Sequence, residues 1–238
     1  MESKVRNNGG KMERMLDERV IEQVRKAFKG LKNPVEILFF GSEDRQRCQY
    51  CSETQQLLDE ISELSDLLSF RACDIETDAA LAAQYKVDGV PGFVLLGRDG
   101  DQLIDYGIRF KGIPAGHEFT SLINSLMLVS QRDSNLSQPT REFLRDLTQP
   151  VHLQVFVTPT CPYCPRSVVL AHQFALESPM VEAEMVEAIE FPELANRFDV
   201  SGVPQTTINM GAGTVIGAAP EDQLVAEIRA ALERMEVN

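Results

Sequence analysis

At 238 residues the chain is long enough for two domains of ordinary size, and its 43% apolar content lets each bury a core. A formal net charge of −13 argues against nucleic acid and anionic membrane surfaces as partners, both of which attract basic proteins, and has solubility as its plain role. No apolar run approaches the roughly 20 residues that span a bilayer, and the polar start Met1–Lys11 lacks the apolar stretch of a signal peptide, so the expected location is the cytoplasm.

Met12, Leu16, Val20, Val24 and Phe28 recur at helical spacing, with Gly30 placed to end the helix. Val35–Phe40 is a short apolar run that reads as a buried strand. Leu57, Leu58, Ile61, Leu64 and Leu68 mark a second helix, and Ser69–Cys73 a strand. Asp78–Tyr85 reads as a short helix. Gly92–Leu96 and Gln102–Tyr106 form a hairpin through Arg98-Asp99-Gly100, and Phe119, Leu122, Ile123 and Leu126 mark a closing helix. After a polar linker, Gln131–Thr140, the order returns. It comprises a helix at Arg141–Leu147, a strand at Val151–Val157, a helix after Cys161 and a strand around Met180–Glu187. A helix at Phe191–Phe198, a hairpin of Gln205–Asn209 with Thr214–Ala218 and a helix at Glu221–Met235 complete it. The fold class is α/β, in two tandem units, each a central mixed β-sheet flanked by helices, with residues 1–132 and 133–238 as the expected domains.

A fixed offset supports the duplication. Cys48-Gln49-Tyr50-Cys51 recurs 113 positions later as Cys161-Pro162-Tyr163-Cys164, and Gly89-Val90-Pro91 recurs as Gly202-Val203-Pro204 in the same register. Leu81, Tyr85 and Val87 match Leu194, Phe198 and Val200. Such gap-free correspondence is the signature of tandem copies. Upstream of the cysteines the register slips by three, so the first copy carries extra residues within Ser42–Arg47, among them Glu43, Asp44 and Arg45.

Five cysteines, in two close pairs and one single, do not make a secreted disulfide framework, and in a cytosolic chain paired cysteines point to redox chemistry or metal. Cysteines three apart at a helix start face the same side, with α-carbons within disulfide reach at roughly 5–5.5 Å. The helix N-terminus offers unpaired N–H groups and partial positive charge, which favour a thiolate on the first cysteine. Cys48 and Cys161 are therefore the expected attacking sulfurs, and Cys51 and Cys164 the resolving ones. Structural zinc wants four ligands in local spacings, whereas 109 residues lie between these pairs, so neither metal nor cofactor is expected. Cys73 matches Val186 in the repeat and reads as a buried, inert thiol.

Thr158-Pro159-Thr160-Cys161-Pro162-Tyr163-Cys164-Pro165 and Met185–Glu190, together with the two Val-Pro pairs, resemble the glutaredoxin-like protein disulfide oxidoreductases of thermophilic archaea and bacteria, which are tandem thioredoxin folds. The resemblance covers the chain from about residue 15. It implies protein substrates and electrons from a flavin-dependent thioredoxin reductase. It also implies that Val90–Pro91 and Val203–Pro204 are cis bonds beside the cysteines, with the residue before each proline pairing to the substrate backbone like an added strand. One part of the thioredoxin pattern is missing. Val155 stands where a buried aspartate is usual, six residues before the first cysteine. Asp74 and Glu187, each 17 positions before its proline, and Glu36 inside an apolar strand are the candidate proton carriers, against a plain role as solvated or ion-paired strand residues. The function expected is thiol–disulfide exchange on proteins. The alternatives are an electron carrier dedicated to one partner such as a peroxidase, or a non-catalytic client- or metal-binding module.

Overall fold

The computed structural model describes residues 14–236. Among these the chain runs α1 (Glu18–Phe28), β1 (Val35–Gly41), α2 (Cys51–Ser62), β2 (Leu68–Asp74), α3 (Ala79–Gln84), β3 (Gly92–Asp99), β4 (Gln102–Lys111) and α4 (Glu118–Gln131). The order then repeats as α5 (Gln138–Arg145), β5 (Val151–Val157), α6 (Cys164–Glu177), β6 (Val181–Glu187), α7 (Pro192–Arg197), β7 (Gln205–Ile208), β8 (Gly213–Ile216) and α8 (Glu221–Glu236). No described helix is long and apolar enough to cross a membrane.

Several boundaries differ from those read in the sequence, each for a local reason. The Asp17 side chain accepts the Val20 N–H at 2.8 Å and caps α1, so Leu16 precedes the helix; Met12 lies outside the described residues. Leu68 opens β2 instead of continuing α2, because the helix stops at Ser62 and Leu68 N–H closes a turn onto the Ser65 carbonyl. Pro139, a turn former in the sequence, sits in the first turn of α5, where its missing N–H costs nothing, and the helix begins at Gln138 instead of Arg141. β4 runs on past Tyr106 to Lys111, accommodated by a register shift between Val94 and Leu96 and by Gly107 at φ 76°.

The strands form one mixed sheet in the order β2-β1-β3-β4-β6-β5-β7-β8. Each half contributes four strands in the same order. β1 and β2 run parallel, as do β5 and β6, and each half closes with two antiparallel pairings. The sequence implied one sheet per unit; the structure continues the first into the second. β4 pairs parallel with β6, Ile108–Lys111 beside Ala183–Val186, so two edges that would otherwise stand unpaired satisfy each other.

The seam is packed on both faces. On one, Phe110 stacks on Phe93 with ring centroids 4.6 Å apart and meets His172 edge-on at 5.0 Å. His172 Nδ1 lies 2.7 Å from Ser125 Oγ, tying α6 to α4, and complete burial pushes the imidazole pKa down to about 3, so the ring stays neutral. On the other face, buried Lys111 contacts Asp88 at 2.5 Å and Glu184 at 3.3 Å. Burial alone would lower the Lys111 pKa; Glu184 and Asp88 outweigh it and hold the ammonium charged. Truncating Phe110 should therefore weaken both halves together. Phe110→Ala is expected to lose about 3–5 kcal/mol of unfolding free energy in urea, and a loss below about 1 kcal/mol would contradict the packing described.

Candidate active site

β5 ends at Val157, and three residues, Thr158-Pro159-Thr160, carry the chain over the sheet end to Cys161. Cys161 and Cys164 form a disulfide with α-carbons 5.5 Å apart, and Cys164 is the first residue of α6. The Cys164 backbone N–H points at Cys161 Sγ from 3.1 Å, so an orphan donor of the helix start is aimed at the first sulfur. Cys161 Sγ is also 3.7 Å from the carbonyl oxygen of Val203, whose bond to Pro204 is cis. Cys164 is fully buried while Cys161 retains 7% exposure, so an incoming sulfur reaches Cys161 first. Tyr163, between them, is exposed.

The first half repeats the construction. Cys48 and Cys51 are disulfide-bonded with α-carbons again 5.5 Å apart, Cys51 begins α2, and Val90–Pro91 is cis. Here the N–H contact falls on the second sulfur, from Ser42 at 3.3 Å, and both cysteines are nearly buried, so accessibility does not separate attacking from resolving sulfur. Gly112 N–H bonds the Pro91 carbonyl at 2.8 Å, while His117 N–H bonds the Pro159 carbonyl at 2.9 Å. The segment between β4 and α4 thus touches both the first proline loop and the approach to Cys161.

The three proposed proton carriers are placed very differently. Glu36 lies with Leu38 and Phe40 on the sheet face away from both cysteine pairs and is ion-paired to Arg98. Asp74 and Glu187 are structural equivalents at the ends of β2 and β6, paired with Gly41 and Val157. Asp74 accepts the backbone N–H groups of Thr77 and Glu76, which hold its carboxyl below the usual range. Glu187 is buried, which raises its pKa, and its Oε1 has no partner. Glu190 donates its N–H to Glu187 Oε2 and accepts that of Ile113; burial first, and then the Glu187 charge, push its pKa up to about 7.

A further buried carboxylate was missed in the sequence. Glu118, in the first turn of α4, is fully buried, accepts a hydrogen bond from Ser121 at 2.6 Å and leaves Oε1 unpartnered. Burial pushes its pKa up to about 7. α4 packs along α6, pinned to Pro159 at its start and to His172 through Ser125, so the two helices run parallel. Glu118 therefore comes level with the first turn of α6, which holds Cys164. The available signal was its spacing: Glu118, Leu122, Ser125 and Val129 share one helical stripe, and that stripe is buried. Val155, within β5, is fully buried and has no charge to offer. Cys73, the remaining cysteine, lies on the opposite sheet face from Cys48 and Cys51, and burial raises its thiol pKa, consistent with an inert role. Among the described residues no group of three or more His, Cys, Asp or Glu side chains is arranged to hold a metal ion.

Comparison with known proteins agrees with this geometry. The thioredoxin domain family matches residues 151–230. The structure of a protein disulfide oxidoreductase from Aeropyrum pernix K1 superposes with a TM-score of 0.82 and 32% identity, covering 92% of this chain and 96% of that one. The N-terminal N/C domain of alkyl hydroperoxide reductase AhpF from Enterococcus faecalis superposes with a TM-score of 0.80 and 27% identity, covering 90% and 99%. The alkyl hydroperoxide reductase AhpF of Escherichia coli is 26% identical over 220 residues, 92% of this chain but 39% of that protein. The chain spans between about a third and two fifths of the length of such curated relatives. With two thioredoxin-like units, two Cys-x-x-Cys disulfides and near-complete coverage at 32% identity, the chain belongs to the family of tandem thioredoxin-fold protein disulfide oxidoreductases.

Proposed function

We propose that this protein catalyses thiol–disulfide exchange on protein substrates, with 1–132 and 133–238 as its two working units and Cys161 as the principal nucleophile. The observation that carries this reading is the surroundings of Cys161: a helix-start N–H at 3.1 Å, the Val203 carbonyl at 3.7 Å, and a fully buried partner sulfur. In the reduced protein the same N–H stabilises a Cys161 thiolate. That thiolate attacks a substrate disulfide, forming a mixed disulfide and releasing one substrate thiol. Cys164, deprotonated, then attacks Cys161 Sγ, freeing the second substrate thiol and closing the protein disulfide. Run backwards, the sequence oxidises a substrate dithiol. Val203, whose carbonyl lies 3.7 Å from Cys161 Sγ, and Pro204, with Val90 and Pro91 as their counterparts in the first unit, would pair an extended substrate segment through its backbone. Cys48 and Cys51 perform the same exchange at the first site.

Resolution requires a base for Cys164, and we assign that role to Glu118. It is buried at the level of the first α6 turn, with one free oxygen and a pKa near neutrality. Glu187 stays a second candidate on the cysteine face of the sheet. Asp74 is a weak base, because its backbone partners stabilise the carboxylate and lower its affinity for a proton, and it lies in the first unit, at the end of β2.

Electrons would come from a flavin-dependent thioredoxin reductase. The likeness to alkyl hydroperoxide reductase AhpF over 92% of the chain favours a second reading, delivery of electrons to a peroxidase. A Cys164→Ser variant separates the two: mixed disulfides with many proteins support general exchange, and with a single peroxidase the dedicated carrier.

Insulin reduction with a dithiol reductant tests the central reading. Wild type is expected to turn over, Cys161→Ser to lose most of the activity, and Cys48→Ser to lose part of it. An inactive wild type, or indifference to both substitutions, would leave a client-binding module in its place.

For Glu118→Gln two readouts are expected. The rate of mixed-disulfide resolution should fall at least tenfold and lose its inflection near pH 7. The stability difference has a definite sign: because folding raises the Glu118 pKa from 4.5 to about 7, the folded state holds the extra proton between those values. Wild-type stability should therefore drop, relative to Glu118→Gln, as pH rises through that window. A parallel stability profile would show that Glu118 ionises as it does in the unfolded chain.

A further inference from the structure

The two disulfides open onto surroundings of opposite character. Beside Cys48 and Cys51 lies an open pocket of about 880 Å³. Its lining includes Glu43, Asp44, Glu53, Asp74 and Glu76, against a single arginine, Arg45. Arg47, just outside the lining, is already ion-paired to Glu76. The acids come from three separate places: the extra loop residues before Cys48, the first turn of α2, and the end of β2 with the turn that follows it.

The duplication supplies an internal control. In the 113-residue register Glu53 corresponds to Arg166 and Glu76 to Ile189, and the loop carrying Glu43 and Asp44 is replaced by the uncharged Thr158-Pro159-Thr160. Arg166 and Ile189 are both exposed, Ile189 to 71%. Two copies of one construction thus keep the cysteines and the cis-prolines while exchanging acid for base and acid for apolar side chain beside them.

Resting on the exchange activity above, we propose that the first site selects disulfide segments flanked by lysine or arginine, while the second accepts segments without that charge preference. The acids do not make the site, which is the Cys48–Cys51 pair; they set which segments approach it. A pocket lined by one sign of charge raises the local concentration of oppositely charged ligand and speeds encounter, and the effect is screened by salt. The chemistry at the first site is a balanced two-electron exchange. One sulfur of the reduced pair attacks the substrate disulfide and the other closes the Cys48–Cys51 bond. The substrate leaves as a dithiol carrying the two electrons and, with protons from the cysteines, two S–H bonds.

The test uses two synthetic cyclic disulfide peptides identical except for lysine or glutamate flanks. Each is mixed with pre-reduced full-length protein in single turnover, so no other reductant is needed. One protein carries Cys161→Ser with Cys164→Ser and reports the first site alone; the other carries Cys48→Ser with Cys51→Ser and reports the second. At low ionic strength the first site should reduce the lysine peptide about tenfold faster than the glutamate peptide. That ratio should collapse toward one in high salt, and the second site should show no preference for the lysine peptide. Adding Glu53→Arg and Glu76→Ile to the first-site protein, both on exposed side chains, should abolish the ratio. Equal rates for the two peptides at low salt, or a ratio untouched by salt or by that exchange, would overturn this inference alone. Reaction with neither peptide at either site would overturn it together with the function on which it rests.

Discussion

Everything distinctive about this molecule depends on where a strand is allowed to become a helix. β5 stops at Val157, and α6 cannot start until the chain has crossed the sheet end. Cys161 consequently falls just ahead of the helix, with the N–H of Cys164 directed at its sulfur. Orphan helix donors are a fixed cost of any helix start; here one is offset by the Cys161 sulfur. The same placement puts Cys164 three residues on, inside the first turn, buried and within disulfide reach. The first sulfur, the buried second one and their mutual distance thus follow from one local geometry, and the neighbouring segment Val203–Pro204 is brought in by β7 pairing with β5.

The merged sheet gives the two copies a common frame. Had each unit kept its own sheet, β4 and β6 would both be open edges. Paired, they let one hydrophobic layer run through Phe93, Phe110 and His172 and one polar cluster run through Asp88, Lys111 and Glu184. The segment after β4 is then held between the first proline loop and the residues leading to Cys161. That contact explains why a buried glutamate of the first half, Glu118, sits at the start of a helix packed on α6 of the second.

Much of this was legible in the sequence, because it is written in short-range spacing. The cysteine pairs, the Val-Pro pairs and the offset between copies are all contiguous motifs, and the strand at Val151–Val157 is marked by its apolar run. What resisted reading depends on contacts between distant segments. Glu36 looked anomalous inside an apolar strand, yet Arg98, 62 residues away, accounts for it. Glu118 looked ordinary as a first-turn acid of a helix, and only the packing of α4 on α6 makes it buried and near neutral in pKa. The β4–β6 join was hidden for the same reason: a pairing between copies leaves no mark in the pattern of either one.

The reduced sulfurs of the second site carry the most direct test of the proposed chemistry. Alkylation of the fully reduced protein by iodoacetamide, followed residue by residue by mass spectrometry across pH, reads their ionisation separately. If the helix-start N–H stabilises a thiolate as described, Cys161 should react first, with an apparent pKa well below the free-cysteine value of about 8.5, while Cys164 stays protected. Equal reaction of both sulfurs with an apparent pKa near that of a free cysteine would contradict it.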